Sequence, residues 1–170
     1  MPKGPRGGEE KERLALQESA AAALARMPGQ LREIVETIAA ERRRSRPASG
    51  GFSAVEHVCH LRDIDGDGYA VRLERMLSEE KPVLADIDGD ALARERDYQS
   101  QDLEAALSSF AATRWQISAR LAKLTPEERQ RTGLMAAIRE ITIEGVVGAM
   151  LAHDSEHLDQ LSELVGELAG

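Results

Sequence analysis

The chain has 170 residues, 42% hydrophobic but only 3% aromatic, a formal charge of −8 and a single cysteine. That length suits one domain with a real core; the charge argues against nucleic acid or anionic lipid as the main partner and leaves a small-molecule substrate open. Cys59 alone excludes an intrachain disulfide, and with no secretory leader and no bilayer-long apolar run the expectation is a cytoplasmic protein without membrane contact.

Residues 1–8 hold two prolines and three glycines and read as a disordered tail, with 9–170 as a single domain. Ala, Leu, Glu and Arg dominate the rest, and no alternating β-branched run argues for a strand. Leu14, Leu16, Ala20, Ala23, Leu24 and Met27 mark a first apolar stripe. Pro28-Gly29 interrupts it, and Pro28 can open a second segment carrying Leu31, Ile34, Val35 and Ile38. Arg42 to Arg46 reads as a solvated basic end to that helix, and Pro47 to Gly51 as a loop. Ser53 with Glu56 forms a capping box, with Phe52 placed to staple the first turn. The helix it opens runs through His57, His60, Leu61, Ile64, Val71, Leu73 and Met76 to about Leu77.

Lys81 to Ser100 is acidic and loop-like, with a short helix at Ala91 to Asp97, and suits a crossover spanning a bundle. Asp102 caps a helix through Leu103, Leu107, Phe110, Trp115, Ile117 and Leu121, with Trp115 read as core. Thr125-Pro126 opens a short turn, residues 132–141 read as loop, and Thr142 caps a last long helix ending near Leu168. The pattern predicts an all-α fold of four principal helices with a long crossover between the second and third.

The chain has four histidines, in two helical pairs. His153 and His157, four apart, lie about 40° apart on one helix face, so their rings can converge on one ion. His60 precedes the apolar Ile64 by one turn and should point inward, with His57 sharing or flanking its site.

Other motifs compete. Asp63, Asp65, Asp67 and Glu74 match the letters of a calcium-binding EF-hand loop, but Val71 stands where a ligand is expected; the alternative is a continuous helix across 63–74. His153-Asp154-Ser155-Glu156-His157 fits the letters of an inverted zinc-protease motif without a downstream glutamate ligand. Cys59 reads as a buried structural thiol.

Several ordered pieces resemble the DinB-like family of damage-inducible four-helix proteins: Phe52-Ser53-Ala54-Val55-Glu56, His60-Leu61-Arg62-Asp63, Asp88-Gly89-Asp90-Ala91-Leu92-Ala93 with Tyr98, Arg114, Ile141-Thr142-Ile143-Glu144, His153-Asp154 and His157-Leu158-Asp159-Gln160. The resemblance covers about residues 23 to 164. It implies a four-helix bundle with a long crossover and a divalent metal (Zn, Ni, Fe or Mn) held by His60, His153 and His157. It also implies an enzyme of metal-dependent thiol-transferase or hydrolase type, with a low-molecular-weight thiol as a further cofactor and a homodimeric state. Two positions depart from the pattern: Phe52 replaces a frequent Trp, and His57 replaces a usually apolar residue. His57, Asp63 and Asp154 are candidate additional or outer partners of the metal, and Glu156 and Asp159 further acidic neighbours. The rival expectations are a metal-binding or interaction bundle without turnover, and a calcium-binding module.

Overall fold

Four long helical segments carry most of the apolar pattern. The structure, a computed structural model, describes residues 7–169. Helix α1 spans Gly7–Glu36, α2 Ala54–Asp63, α3 Ala70–Ser78, α4 Gly89–Glu95, α5 Leu103–Ala122, α6 Pro126–Arg129 and α7 Ile143–Ala169. Of the expected tail, Gly7 and Gly8 belong to α1 and the rest lies outside the described residues. α1, α2–α3, α5 and α7 form the four-helix bundle, and the α3–α5 connection is the long crossover.

Pro28 does not break the first helix. A proline inside a helix costs roughly 3 kcal/mol. On either side of it Leu24, Met27, Leu31 and Val35 are all buried along one stripe. Burying each such side chain stabilises by about 1.5–3 kcal/mol, so a helix continuous through Pro28 wins. The stripe's outer members, Leu14 and Leu16, remain exposed.

The basic run is exposed for the most part but does not end the first helix, because α1 stops at Glu36 and a 3₁₀ turn at Ala40–Arg42 intervenes. Arg43 Nε donates to the Ile38 carbonyl at 3.0 Å, and Arg44 Nη2 to the Gln101 carbonyl at 2.9 Å. Arg46 forks onto the buried Glu56 carboxylate at 2.9 and 2.6 Å. The arginines thus tie this loop to the start of α2 and to the crossover.

α2 begins at the expected capping box: Ser53 Oγ accepts from the Glu56 N–H, and Glu56 Oε2 from the Ser53 N–H. Between α2 and α3 the chain makes a π-helical turn, Ile64–Tyr69, with the Ala70 N–H reaching back to the Asp65 carbonyl. Residues 63–74 are therefore helical, and no calcium loop forms. The three aspartates go to different partners: Asp63 to Tyr98, Asp65 to Arg114 and Asp67 to Arg96. The wider turn also slips the inward face by one residue. Asp65, Tyr69, Leu73 and Met76 are buried, whereas Val71, expected inside, is 47% exposed.

The crossover carries β1, Val83–Leu84, and then α4, which Asp88 caps two residues ahead of the expected start. β1 pairs in parallel with β2, Thr132–Met135, which pairs antiparallel with β3, Arg139–Thr142. This small sheet replaces the expected loop. Strands of two to four residues are too short to display an alternating pattern. Gly133 lets the sheet close onto the bundle: a Cβ there would lie 2.7 Å from Leu84 Cδ1 and 3.2 Å from Met76 Cγ.

On α5, Leu107, Phe110, Arg114, Ile117 and Leu121 recur at three- and four-residue intervals and are all buried. Trp115 lies about 100° off that stripe and is 72% exposed, so the core position is taken by Arg114. α7 starts with Thr142 Oγ1 accepting from the Gly145 N–H at 3.0 Å.

The core is in two parts. One cluster gathers Met27, Leu31, Val35, Val58, Leu61, Phe110 and Leu161; the other gathers Leu24, Leu73, Met76, Leu84, Leu121, Val146 and Met150. On α5 the switch falls between Phe110 and Ile117, and on α7 between Met150 and Leu161. Arg114, Asp154 and His157 lie within those gaps, so a polar layer crosses the bundle between two apolar cores.

Candidate metal centre

The polar layer contains two clusters. In the first, His60 from α2 meets His153 and His157 from α7. His60 Nε2 lies 3.1 Å from His153 Nε2, and His157 Nε2 lies 3.0 Å from the same atom. Ligand atoms of all three lie within 4.8 Å of one another. Burial pushes the pKa of His60 down to about 4, helped by His153. Burial also lowers His153, and with the other three imidazoles takes His157 down to about 2. All three are neutral near pH 7, the state that ligates a metal.

His57 does not join this convergence. Its Nδ1 lies 2.8 Å from His157 Nδ1, on the far side of the His157 ring from the shared Nε2 point. Burial and His60 lower its pKa to about 4, so this contact joins two neutral rings. Phe52 covers the cluster, its ring centre 5.6 Å from His57 and 5.4 Å from His60. Gly89, at the start of α4, packs so closely on His60 that a Cβ there would sit 2.4 Å from Cε1 and 2.9 Å from Nδ1. The Nδ1 atoms of His60 and His153 are buried without a hydrogen-bond partner. Tyr69, on the π turn, sets its ring edgewise to His153 at 6.2 Å.

The second cluster is a buried ion network. Arg114 donates through Nε and Nη2 to both oxygens of Asp65, at 2.7 and 2.9 Å, and through Nη1 and Nη2 to both oxygens of Asp154. Arg114 and Asp65 are 0% exposed and Asp154 5%. The guanidinium also lies over the Phe110 ring at 4.8 Å. Burial pushes Asp65 up to about 6 against the pull of Arg114, and the two carboxylates hold Arg114 above its ordinary value. Asp154 follows His153 in sequence but faces Arg114. Asp63 lies elsewhere, receiving Tyr98 Oη at 2.8 Å, Arg62 Nε at 2.7 Å and Arg96 Nη1 at 2.8 Å. Glu156 and Asp159 are exposed on α7, and Cys59 is fully buried with its thiol pushed up to about 11 by burial.

Sequence reasoning missed Asp65 as the partner of Arg114. The signal was Arg114 itself: an arginine on an apolar stripe requires a buried acid opposite it.

The donor set fits a divalent transition metal. Three neutral imidazoles present Nε2 atoms to one point, whereas a calcium site needs oxygens. A tetrahedral ion with bonds of about 2.0–2.1 Å spaces its nitrogens about 3.3 Å apart, so the His60–His153 and His153–His157 pairs need to open by only a few tenths of an ångström.

No helix among the described residues is long and apolar enough to cross a membrane. No curated protein matches the sequence. Among solved structures, the chain is similar to YfiT from Bacillus subtilis, described as a probable metal-dependent hydrolase with an unusual four-helix bundle topology. That likeness has 23% identity and a TM-score of 0.79, and covers 96% of this chain and 90% of the other. It carries the fold, and the sequence carries the family: residues 23–161 match the DinB superfamily, to which this chain belongs.

Proposed function

We propose that the protein is a metal-dependent enzyme acting on a small molecule, with one divalent ion held by His60, His153 and His157. The observation that carries this reading is the meeting of three Nε2 atoms at 3.0 and 3.1 Å, two from buried histidines and one from the half-buried His153. Three protein ligands leave coordination room, as in catalytic rather than structural sites. The ion, when bound, supplies Lewis acidity and lowers the pKa of a bound water or thiol. Hydrolysis is the preferred reaction type, in keeping with the description of YfiT. The residues around the ligands do the positioning. Phe52 keeps one side of the cluster dry, Gly89 lets the crossover press on His60, and the Arg114 network fixes α7 against α5 and the π turn.

The test begins with chelated protein reloaded separately with Zn, Ni, Fe or Mn. Bound metal is measured, then turnover of ester and amide substrates, with and without a low-molecular-weight thiol. The expected result is about one ion per chain, metal-dependent hydrolysis, and loss of both in His153→Ala. Turnover only in the presence of thiol moves the assignment to thiol transfer. Metal content unchanged in His153→Ala contradicts the site.

A further inference from the structure

The histidine that does not join the convergence has a role of its own. Metal-bound imidazoles generally donate their second ring N–H to a carboxylate, a carbonyl or water, which fixes tautomer and ring orientation. Here two of the three candidate ligands lack such a partner, since His60 Nδ1 and His153 Nδ1 are buried and unpaired. Only His157 has one, His57 Nδ1 at 2.8 Å, with ring centres 5.0 Å apart and planes at 77°. One proton must lie between those two nitrogens. If His57 supplied it, His157 would carry its own proton on Nε2, aimed at the ligand point. If His157 supplies it, Nε2 is left as a bare lone pair facing His60 and His153. His57 must then keep its proton on Nε2, and that atom is not among the buried side-chain atoms left without a partner. In this second arrangement His157 Nε2 is the acceptor in its 3.0 Å contact with His153 Nε2, so His157 itself places no proton at the ligand point.

We infer that His57 is a positioning residue that accepts the Nδ1–H of His157 and thereby holds His157 in the tautomer whose Nε2 can bind a metal. This rests on the metal reading above and deepens it. His57 is backed by Phe52, edge to face at 5.6 Å, and stands on the same helix as His60. One turn of α2 therefore supplies a ligand and sets the tautomer of another.

The test exploits geometry. The Asn amide oxygen is attached to Cγ, as is His Nδ1, so His57→Asn keeps an acceptor in the same place. His57→Gln moves the amide one bond further out, and His57→Leu removes the acceptor while keeping an apolar filling. Nitrogen-15 shifts of His157 in the metal-free protein read the tautomer, and zinc competition against a chromophoric chelator reads affinity. Melting curves confirm that each variant is folded. The expected result is an Nδ1–H tautomer for His157 in the unsubstituted protein and in His57→Asn, lost in His57→Leu. Zinc affinity should fall roughly 10–100-fold in His57→Leu and His57→Gln and recover in His57→Asn. Equal zinc affinity in the Leu and Asn variants, or an Nε2–H tautomer at His157 in the unsubstituted protein, overturns the inference. A chain that takes up no zinc at all overturns the metal reading instead, while the tautomer measurement still decides the role of His57.

Discussion

The two buried clusters of the polar layer lie side by side and are built on opposite terms. In the Asp65–Arg114–Asp154 network both carboxylates are bonded through both oxygens, and the cation uses Nε, Nη1 and Nη2. In the histidine cluster three nitrogens crowd one point while two others are buried without partners. That network serves as scaffolding, because four of the five guanidinium N–H groups and all four carboxylate oxygens are already engaged with one another. An unsaturated one is costly to keep unless something binds there. The contrast separates the part that ties the helices together from the part with donor atoms left over.

The sharpest way to break the contrast is at Arg114. Replacing it with Met leaves two buried carboxylates facing each other, and stability in urea should fall by about 3–5 kcal/mol. The additional changes Asp65→Asn and Asp154→Asn should recover much of that loss. A single variant that melts like the parent would show the network to be idle.

Acid should act on the other cluster. An unfolded chain protonates its histidines near pH 6.5, while the folded protein holds His57 and His60 neutral to about 4 and His157 lower still. The unfolded state therefore binds more protons between about pH 6.5 and 4, and stability falls as pH drops through that window. Asp65 has the opposite sign, because its raised folded value, about 6, favours the folded state in acid and offsets part of the loss. Urea midpoints of metal-free protein at several pH values across that window check this; a flat or rising trend on acidification counts against buried neutral imidazoles.

Metal should reverse the cost. Zinc at about 100 times its dissociation constant should stabilise the protein by about 2.7 kcal/mol. The same addition should leave His60→Ala unmoved in a thermal melt. A smaller change is expected from Gly89→Ala, whose new methyl must displace the His60 ring. Zinc affinity should drop about tenfold, or about 1.4 kcal/mol, with helix content retained; unaltered affinity means that α4 does not seat His60. The smallest effect belongs to Trp115→Gln, within about 0.5 kcal/mol of the parent because the side chain is exposed.

The legibility of the sequence follows the same division. His153 and His157 were readable because two like residues four apart on an apolar-periodic segment have one geometric meaning, and the capping box at Ser53 fixed where the helix bearing His60 begins. The scaffold network was hidden because its acid sits on a π turn. The letters Asp63 to Glu74 spell a calcium loop, and nothing local reveals that one extra residue per turn swings Asp65 onto Arg114 and Val71 outward. Trp115 looks like a core residue by type, whereas the three- and four-residue spacing of Leu107, Phe110, Ile117 and Leu121 selects Arg114. Pro28 reads locally as a break, and only the stripe buried on both sides of it keeps α1 whole. The sheet joins residues some fifty positions apart in strands too short to carry a period.

X-ray absorption on the metal-loaded protein reads the ligand set of the ion itself. Three imidazole nitrogens, from His60, His153 and His157, are expected at about 2.0–2.1 Å for zinc, with the remaining coordination filled by exchangeable light atoms. Four imidazoles, bringing His57 into the shell, or a shell of oxygens alone would contradict it.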